Sequence, residues 1–347
     1  MEFNLNHNPL SHFFNKHKDM LLKHKDKLIW FHSFYALLIG IGVMWLGSKN
    51  FKFIRFAFIQ ILFIWLSNLA IPLIHNHPKL SSKWKERIRL VINYFNRNFY
   101  QGLLFFILPI YYMSATMGSK NMVFIVLVAI SAILSTMDIV YDRYISVQAI
   151  ILSLFFAFNL FACINIMLPI LWGVRTVHSV RFSAILAFIG FATFCFRLSH
   201  IENLKKKIII GAAAVMFFFI SESGRAFIPP APLKLDKTEF GQTMKKRSLE
   251  IGSLYSILPE GTARIYSLTY LKAPLKMKEK VNISWYLNGD LISSSKRSYE
   301  ITGKGEKGRF RLWWCKLLKN IPPASTLMVE AETEDGQLIG RSFLSSK

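Results

Sequence analysis

Long apolar runs separated by short basic segments fill the first two thirds of the chain, and alternating apolar and polar positions fill the last third. A membrane-spanning helix needs about 20 mostly apolar residues, because the hydrocarbon layer is about 30 Å thick and each residue rises about 1.5 Å. Seven windows meet or approach that length, over residues 28–46, 54–74, 99–117, 122–140, 147–171, 182–196 and 208–220. The pattern therefore predicts a membrane all-α bundle of about seven transmembrane helices. The sixth and seventh windows are short and borrow flanking residues such as Arg197 and Ser221.

After Ile228-Pro229-Pro230-Ala231-Pro232-Leu233 the period changes from helical to two. Proline lacks an amide donor and clashes with the preceding turn, so a helix cannot run through this stretch. In 281–287, Val281, Ile283, Trp285 and Leu287 share one face, as alternation along a strand requires. Asn288-Gly289 then supplies the positive φ angles of a type I′ turn into a returning strand at 290–294. A second hairpin pairs 327–333, with Leu327, Val329 and Ala331 inward, to 337–344 across Asp335-Gly336. With 263–271, 297–302 and 309–315 the count reaches about seven strands, the size of an all-β, immunoglobulin-like sandwich. The organisation read from the chain is a basic cytoplasmic tail at 1–27, a multi-span transmembrane domain at 28–227, a Pro-rich linker at 228–233 and an extracytoplasmic β-sandwich domain at 234–347. The first 27 residues are polar and Lys-rich, and the apolar run after them is long enough to span, so no cleavable signal is expected and the first span stays as an anchor.

Composition agrees with lipid as the solvent of the helical part: 52% of the 347 residues are hydrophobic and 31 are Phe, with a mean hydropathy of +0.33. The formal net charge of +23 raises nucleic acid as a partner. The cations, however, sit in short segments between apolar runs and in the C-terminal part, which fits membrane loops and excludes a nucleic-acid stripe. If the N-terminus is cytoplasmic, the inner segments hold 16 Lys or Arg and the outer loops between spans hold five. The positive-inside rule then places the N-terminus in the cytoplasm, and an odd number of spans places the C-terminal domain outside. Cys163, Cys195 and Cys315 are far apart and lack metal-ligand spacing, so neither a disulfide framework nor a metal site is expected.

The C-terminal part resembles the DUF2914 family, a domain of unknown function that follows multi-span bacterial membrane regions. The residues that carry the resemblance are Ile228-Pro229-Pro230-Ala231-Pro232-Leu233, Ala273-Pro274, Trp285-Tyr286, the stretch from Gly303 to Gly308 with Phe310-Arg311, and the run from Glu332 to Arg341 leading to Phe343. The sequence departs from that family at Leu312, where members carry Gly, while Arg311 keeps its position. The resemblance implies the architecture above and a bacterial inner (cytoplasmic) membrane location, and it brings no catalytic residue or cofactor.

Several constellations carry chemistry. On a strand at 309–314, Phe310, Leu312 and Trp314 would face the core while Arg309, Arg311 and Trp313 share the opposite face. Arginine offers a planar bidentate donor and Trp a stacking surface, which suits anionic sugars, phosphates or carboxylates. Lys304 and Lys307 in the preceding Gly-rich loop add charge. The competing reading packs Trp313 under a loop or at the membrane interface and pairs the arginines with carboxylates. Within the apolar region, Asn159, Asn165, Glu222 and Arg225 are the polar candidates, either lining a path or making interhelical hydrogen bonds and an interfacial ion pair. Asp138 and Asp142 would share a helix face, or else sit in a solvated loop. His7, His12, His17 and His24, with His75 and His77, are spread without converging ligands.

No phosphate-binding loop, nucleophile elbow or zinc-protease helix is present. The expected function is therefore non-enzymatic: a membrane protein in contact with lipid, whose external domain recognises a periplasmic protein or an anionic glycan. The alternative is a transporter or lipid-modifying enzyme with its site among the helices. Convergence of Asn159, Asn165 and Glu222 on one cavity would favour that alternative.

Overall fold

The computed structural model describes residues 25–47, 54–75, 78, 81–137, 140–145, 148–195, 203–295, 298–304 and 308–346. Its helices are α1 (Lys25–Gly47), α2 (Ile54–His75), α3 (Ser82–Met113), α4 (Met122–Thr136), α5 (Ala149–Trp172), α6 (Thr176–Cys195) and α7 (Asn203–Glu222), with a π-helical turn at Tyr141–Ile145 and a 3-10 turn at Arg225–Phe227. The N-terminal tail with its four histidines, His77, Asp138 and Lys307 lie outside the described residues.

Two helices, not about seven, are long and apolar enough to cross a membrane among the described residues: Ile150–Trp172 and Thr176–Thr193. The apolar cores of α1 and α2 shrink to Ser33–Trp45 and Ile54–Ala70. At 15 residues α4 spans about 22 Å, short of the roughly 30 Å hydrocarbon layer. The first half of α3 carries Lys83, Lys85, Glu86, Arg87 and Arg89, and α7 begins with Lys205, Lys206 and Lys207. Apolar windows in the sequence thus merge helix, loop and charged ends that the folded chain separates.

The helices run alternately toward and away from the strands. Gln101 of α3 donates to the Ala36 carbonyl and the Phe105 ring lies at Gly40, so α1 and α3 are parallel. Ser67 bonds Asn96 at 2.8 Å and Phe63 meets Phe99 edge-on, so α2 and α3 are antiparallel. Between α5 and α6 the chain reverses at Gly173, whose φ of 68° ends α5 in the left-handed conformation favoured for glycine. A Cβ there would also stand 2.9 Å from the Lys276 carbonyl oxygen. This turn touches the strand unit.

Among the described residues, nine strands form two antiparallel sheets. One has the order β2-β1-β3-β7 and the other β5-β4-β8-β9, with β6 also paired to β4. The strands are β1 (Lys234–Lys245), β2 (Glu250–Leu254), β3 (Gly261–Lys272), β4 (Lys278–Leu287), β5 (Asp290–Ser294), β6 (Tyr299–Thr302), β7 (Phe310–Ile321), β8 (Thr326–Thr333) and β9 (Leu338–Ser345). This corrects the seven-strand, immunoglobulin-like count. Strands β1 and β2 cover 234–254, where Lys, Asp, Thr, Glu and Gln break the apolar alternation that a strand reading depends on. The inner faces enclose Val281, Ile283, Trp285, Leu327, Val329 and Ala331, each at most 1% exposed. At Gly340 a Cβ would stand 2.6 Å from the Leu235 Cβ, so glycine lets the two sheets meet closely at that edge.

Candidate functional site

The densest polar constellation lies where the helical unit meets the sheets. Glu279 occupies the same face of β4 as Val281, Ile283 and Trp285, two residues before Val281, and is 1% exposed. One of its carboxylate oxygens accepts from the Thr176 backbone N–H at 2.7 Å and from Thr176 Oγ1 at 2.8 Å. The other accepts from Arg175 Nε at 3.1 Å. The first amides of a helix have no partner within the helix, and its N-terminus carries partial positive charge. Glu279 thus caps α6 from another part of the fold.

The tip of the β8–β9 hairpin adds a second contact. Gly336, at φ 83°, closes a turn that presents Glu334 and Asp335. Arg175 Nη2 lies 3.1 Å from Glu334 and 3.8 Å from Asp335, and Arg225 Nη1 lies 3.5 Å from Asp335. Arg225 is itself buried and pairs with Glu222, which also receives Arg181 through two hydrogen bonds of 2.9 and 3.1 Å. The Arg175 hydrogen bond, reinforced by Lys280, holds the Glu334 carboxyl below its ordinary range. Gln337 Nε2 donates to the Ile228 carbonyl and Asn121 Nδ2 to the Leu338 carbonyl. Residues 228–233 are buried in this junction. Sequence reasoning missed Glu279, Arg175, Glu334 and Asp335; a carboxylate in phase with the core face of a strand was the available signal.

On β7, Phe310, Leu312 and Trp314 turn toward the core and Arg311 and Trp313 away from it, and Arg309, just before the strand, is exposed. Arg309 Nε lies 2.6 Å from Asp236. Arg311 Nη1 donates to the carbonyls of Ser248 and Leu249, each at 3.2 Å, and so holds the β1–β2 hairpin. Lys246 of that hairpin stands 5.3 Å over the Trp313 ring, and Lys304 stands 5.9 Å over Phe310. The structure brings Arg309, Arg311, Trp313 and Lys304 to one strand end and adds Lys246.

Among the helices, Asn165 donates to Tyr111 Oη at 3.2 Å, while neither polar atom of the buried Asn159 has a partner. Six residues separate the two on α5, which turns them to different faces. Glu222 lies in the junction. The three do not converge on a common cavity. A cleft of about 450 Å³ between α4, α5 and α7 is lined by apolar residues including Phe124, Phe158, Phe161 and Phe217, and none of the three lines it.

The geometry is that of a helical unit interlocked with two antiparallel sheets. The chain belongs to the DUF5924 family, a family of unknown function whose model matches residues 11–260. This overturns the DUF2914 resemblance. A Pro-rich stretch, an Asp-Gly turn and a Trp-Tyr pair are what helix exits, tight turns and buried strands require in many folds, so their series did not identify the family. No curated protein matches. Among solved structures, a β-glucuronidase from glycoside hydrolase family 2 is similar at 12% identity over 25% of this chain and 10% of its own, with a TM-score of 0.20. The Pseudomonas fluorescens alkylpurine DNA glycosylase AlkC, bound to DNA containing an abasic site analog, is similar at 8% identity over 90% of this chain and 97% of its own, with a TM-score of 0.24. The chain spans about a tenth of the β-glucuronidase's length.

Proposed function

We propose that the protein is a non-enzymatic component of the cytoplasmic membrane, whose helical unit sits in lipid and carries the two-sheet unit outside as a recognition module for an anionic partner. The observation that carries this reading is the division of surface. Most of the exposed large apolar side chains belong to helices, among them Phe31, Phe56, Trp172, Ile208 and Phe218, each more than 60% exposed. Exposed apolar surface of this extent is costly in water and ordinary in lipid. The α5–α6 pair supplies spans of sufficient length, and its turn lies against the sheets. The opposite end of the helical unit carries Lys83, Lys85, Arg87, Lys205, Lys206 and Lys207, which the positive-inside rule assigns to the cytoplasm.

The junction supports the same reading, because it fixes the sheets against the helices and leaves the Lys246, Arg311 and Trp313 face turned away from the core. That face suits the anionic groups of a glycan or a protein partner. Two measurements test the reading. The full chain should stay in the membrane pellet through alkaline carbonate extraction, and a reporter active only in the periplasm should work when fused at Lys347; release, or a silent reporter, would overturn the membrane arrangement. In neutral detergent at low salt the full chain should bind dextran sulfate, and the double change Lys246→Gln with Lys304→Gln should weaken binding several-fold without moving the thermal midpoint. Unchanged binding in that variant would remove the recognition face.

A further inference from the structure

Helix α3 is 32 residues long, about 48 Å at 1.5 Å per residue, and its two halves differ in character. The second half packs inward on one face: Leu103, Leu104, Ile107 and Tyr111 show no exposure. In the first half, Trp84, Ile88, Val91 and Phe95 recur at spacings of four, three and four, which places them on one stripe. Trp84, Val91 and Phe95 are 59%, 54% and 46% exposed. Lys83 and Arg87 beside them are exposed. The Arg87 guanidinium stands 5.7 Å from the Trp84 ring centroid and that of Arg97 stands 5.9 Å from Tyr94.

This segment lies at the end of the helical unit away from the sheets. The other end of α3 reaches the sheets, where Met113 Sδ accepts from Lys234 Nζ at 3.6 Å. Helix α7 starts at the same far end with Lys205, Lys206 and Lys207 and finishes in the junction at Glu222. Glu86 is the acidic residue within 82–97.

We propose that the first half of α3, with the lysines at the start of α7, is a docking surface for the headgroups of anionic phospholipids in the leaflet facing away from the sheets. The inference rests on the membrane reading above and deepens it. An exposed stripe of Trp, Val and Phe flanked by cations is the pattern of a helix lying in the headgroup layer, with aromatic rings at the acyl boundary and ammonium and guanidinium groups among the phosphates. A zwitterionic surface offers the rings the same contact. Only an anionic one adds net attraction, about 1 kcal/mol or roughly fivefold per cation near the surface.

The test reconstitutes the full chain in phosphatidylcholine bilayers and compares the association of spin-labelled phosphatidylglycerol with that of spin-labelled phosphatidylcholine. The expected result is a several-fold preference for phosphatidylglycerol that falls as salt rises. The triple change Lys83→Gln, Lys85→Gln and Arg87→Gln should lower the ratio clearly, with the α7 lysines keeping the remainder, while the Lys246→Gln, Lys304→Gln variant leaves it as in the wild type. Equal association of both labels with the wild-type chain, a preference insensitive to salt, or an unchanged ratio in the triple variant would overturn the inference. The salt series needs no variant and reads the outcome even if the triple change prevents folding. Retention in the carbonate pellet without lipid preference would sink this inference alone, and release from the pellet would sink the membrane reading with it.

Discussion

Glu279 caps the helix that begins at Thr176, across 103 residues of chain. A carboxylate removed from water at a helix N-terminus is stabilised by the terminal amides and, here, by the Arg175 guanidinium. Removing it leaves the buried Thr176 amide without its acceptor and Arg175 with the Glu334 and Asp335 carboxylates alone. Glu279→Ala is expected to cost about 2–3 kcal/mol and to expose Arg175 to trypsin. Glu279→Gln, which keeps an oxygen for Thr176, should cost clearly less. Thermal unfolding of the full chain in detergent measures both, and an Ala variant of wild-type stability would show that the junction is held elsewhere.

Arg311 bridges β7 to the carbonyls of Ser248 and Leu249, and Leu249 has a positive φ of 51°. The interaction is solvent-exposed, so Arg311→Ala should lower overall stability by less than about 1 kcal/mol. The β1–β2 hairpin should nevertheless open more often. Limited trypsin digestion at Lys245, Lys246 and Arg247 is expected to quicken several-fold; unchanged cleavage would place the hairpin's anchor on the β1–β2 pairing alone.

Glu332 is pushed up to about 7, from an ordinary 4.5, by burial and then by the hydrogen bond and charge of neighbouring Glu330, with Arg341 opposing. The folded state holds a proton that the unfolded chain releases between those two values. Stability therefore falls as pH rises from about 4.5 through 7. Glu332→Gln should flatten this part of the profile and raise stability at pH 8 by about 1 kcal/mol, a few degrees in Tm. Parallel pH profiles for the two proteins would remove Glu332 as the cause.

Asn159 and Asn165 are both buried on α5 but differ in partners. The Asn159 carboxamide makes no hydrogen bond, whereas Asn165 bonds Tyr111, whose hydroxyl donates to the Ala162 carbonyl at 2.8 Å. An unpartnered polar group is destabilising where it sits, and a paired one is costly to remove. Asn159→Leu is expected to be neutral or stabilising and Asn165→Leu to cost about 1–2 kcal/mol. Thermal midpoints in detergent distinguish them, and equal losses would mean that Asn159 has a partner.

Features set by local period and turn chemistry were legible along the chain. Alternation at Val281, Ile283 and Trp285 marked the inner face of β4, and Asn288-Gly289 marked a turn whose φ values are 51° and 93°. The break at Pro229 and Pro230 marked where helix gives way to strand. Contacts between distant segments set what local pattern cannot carry. An apolar window does not show whether its residues belong to one helix or to a helix and its loop, so seven windows correspond to two helices of spanning length among the described residues. Polar β1 reads as loop because its strand hydrogen bonds come from β2 and β3, which sequence proximity does not reveal. The face at Arg309, Arg311 and Trp313 was legible from alternation, while its partners Asp236, Ser248 and Lys246 were not. Glu279 was visible only as a charge in phase with a buried face. Its meaning came from Arg175 and Thr176, which approach it because packing the helices against the sheets leaves one buried carboxylate and one uncapped helix facing each other.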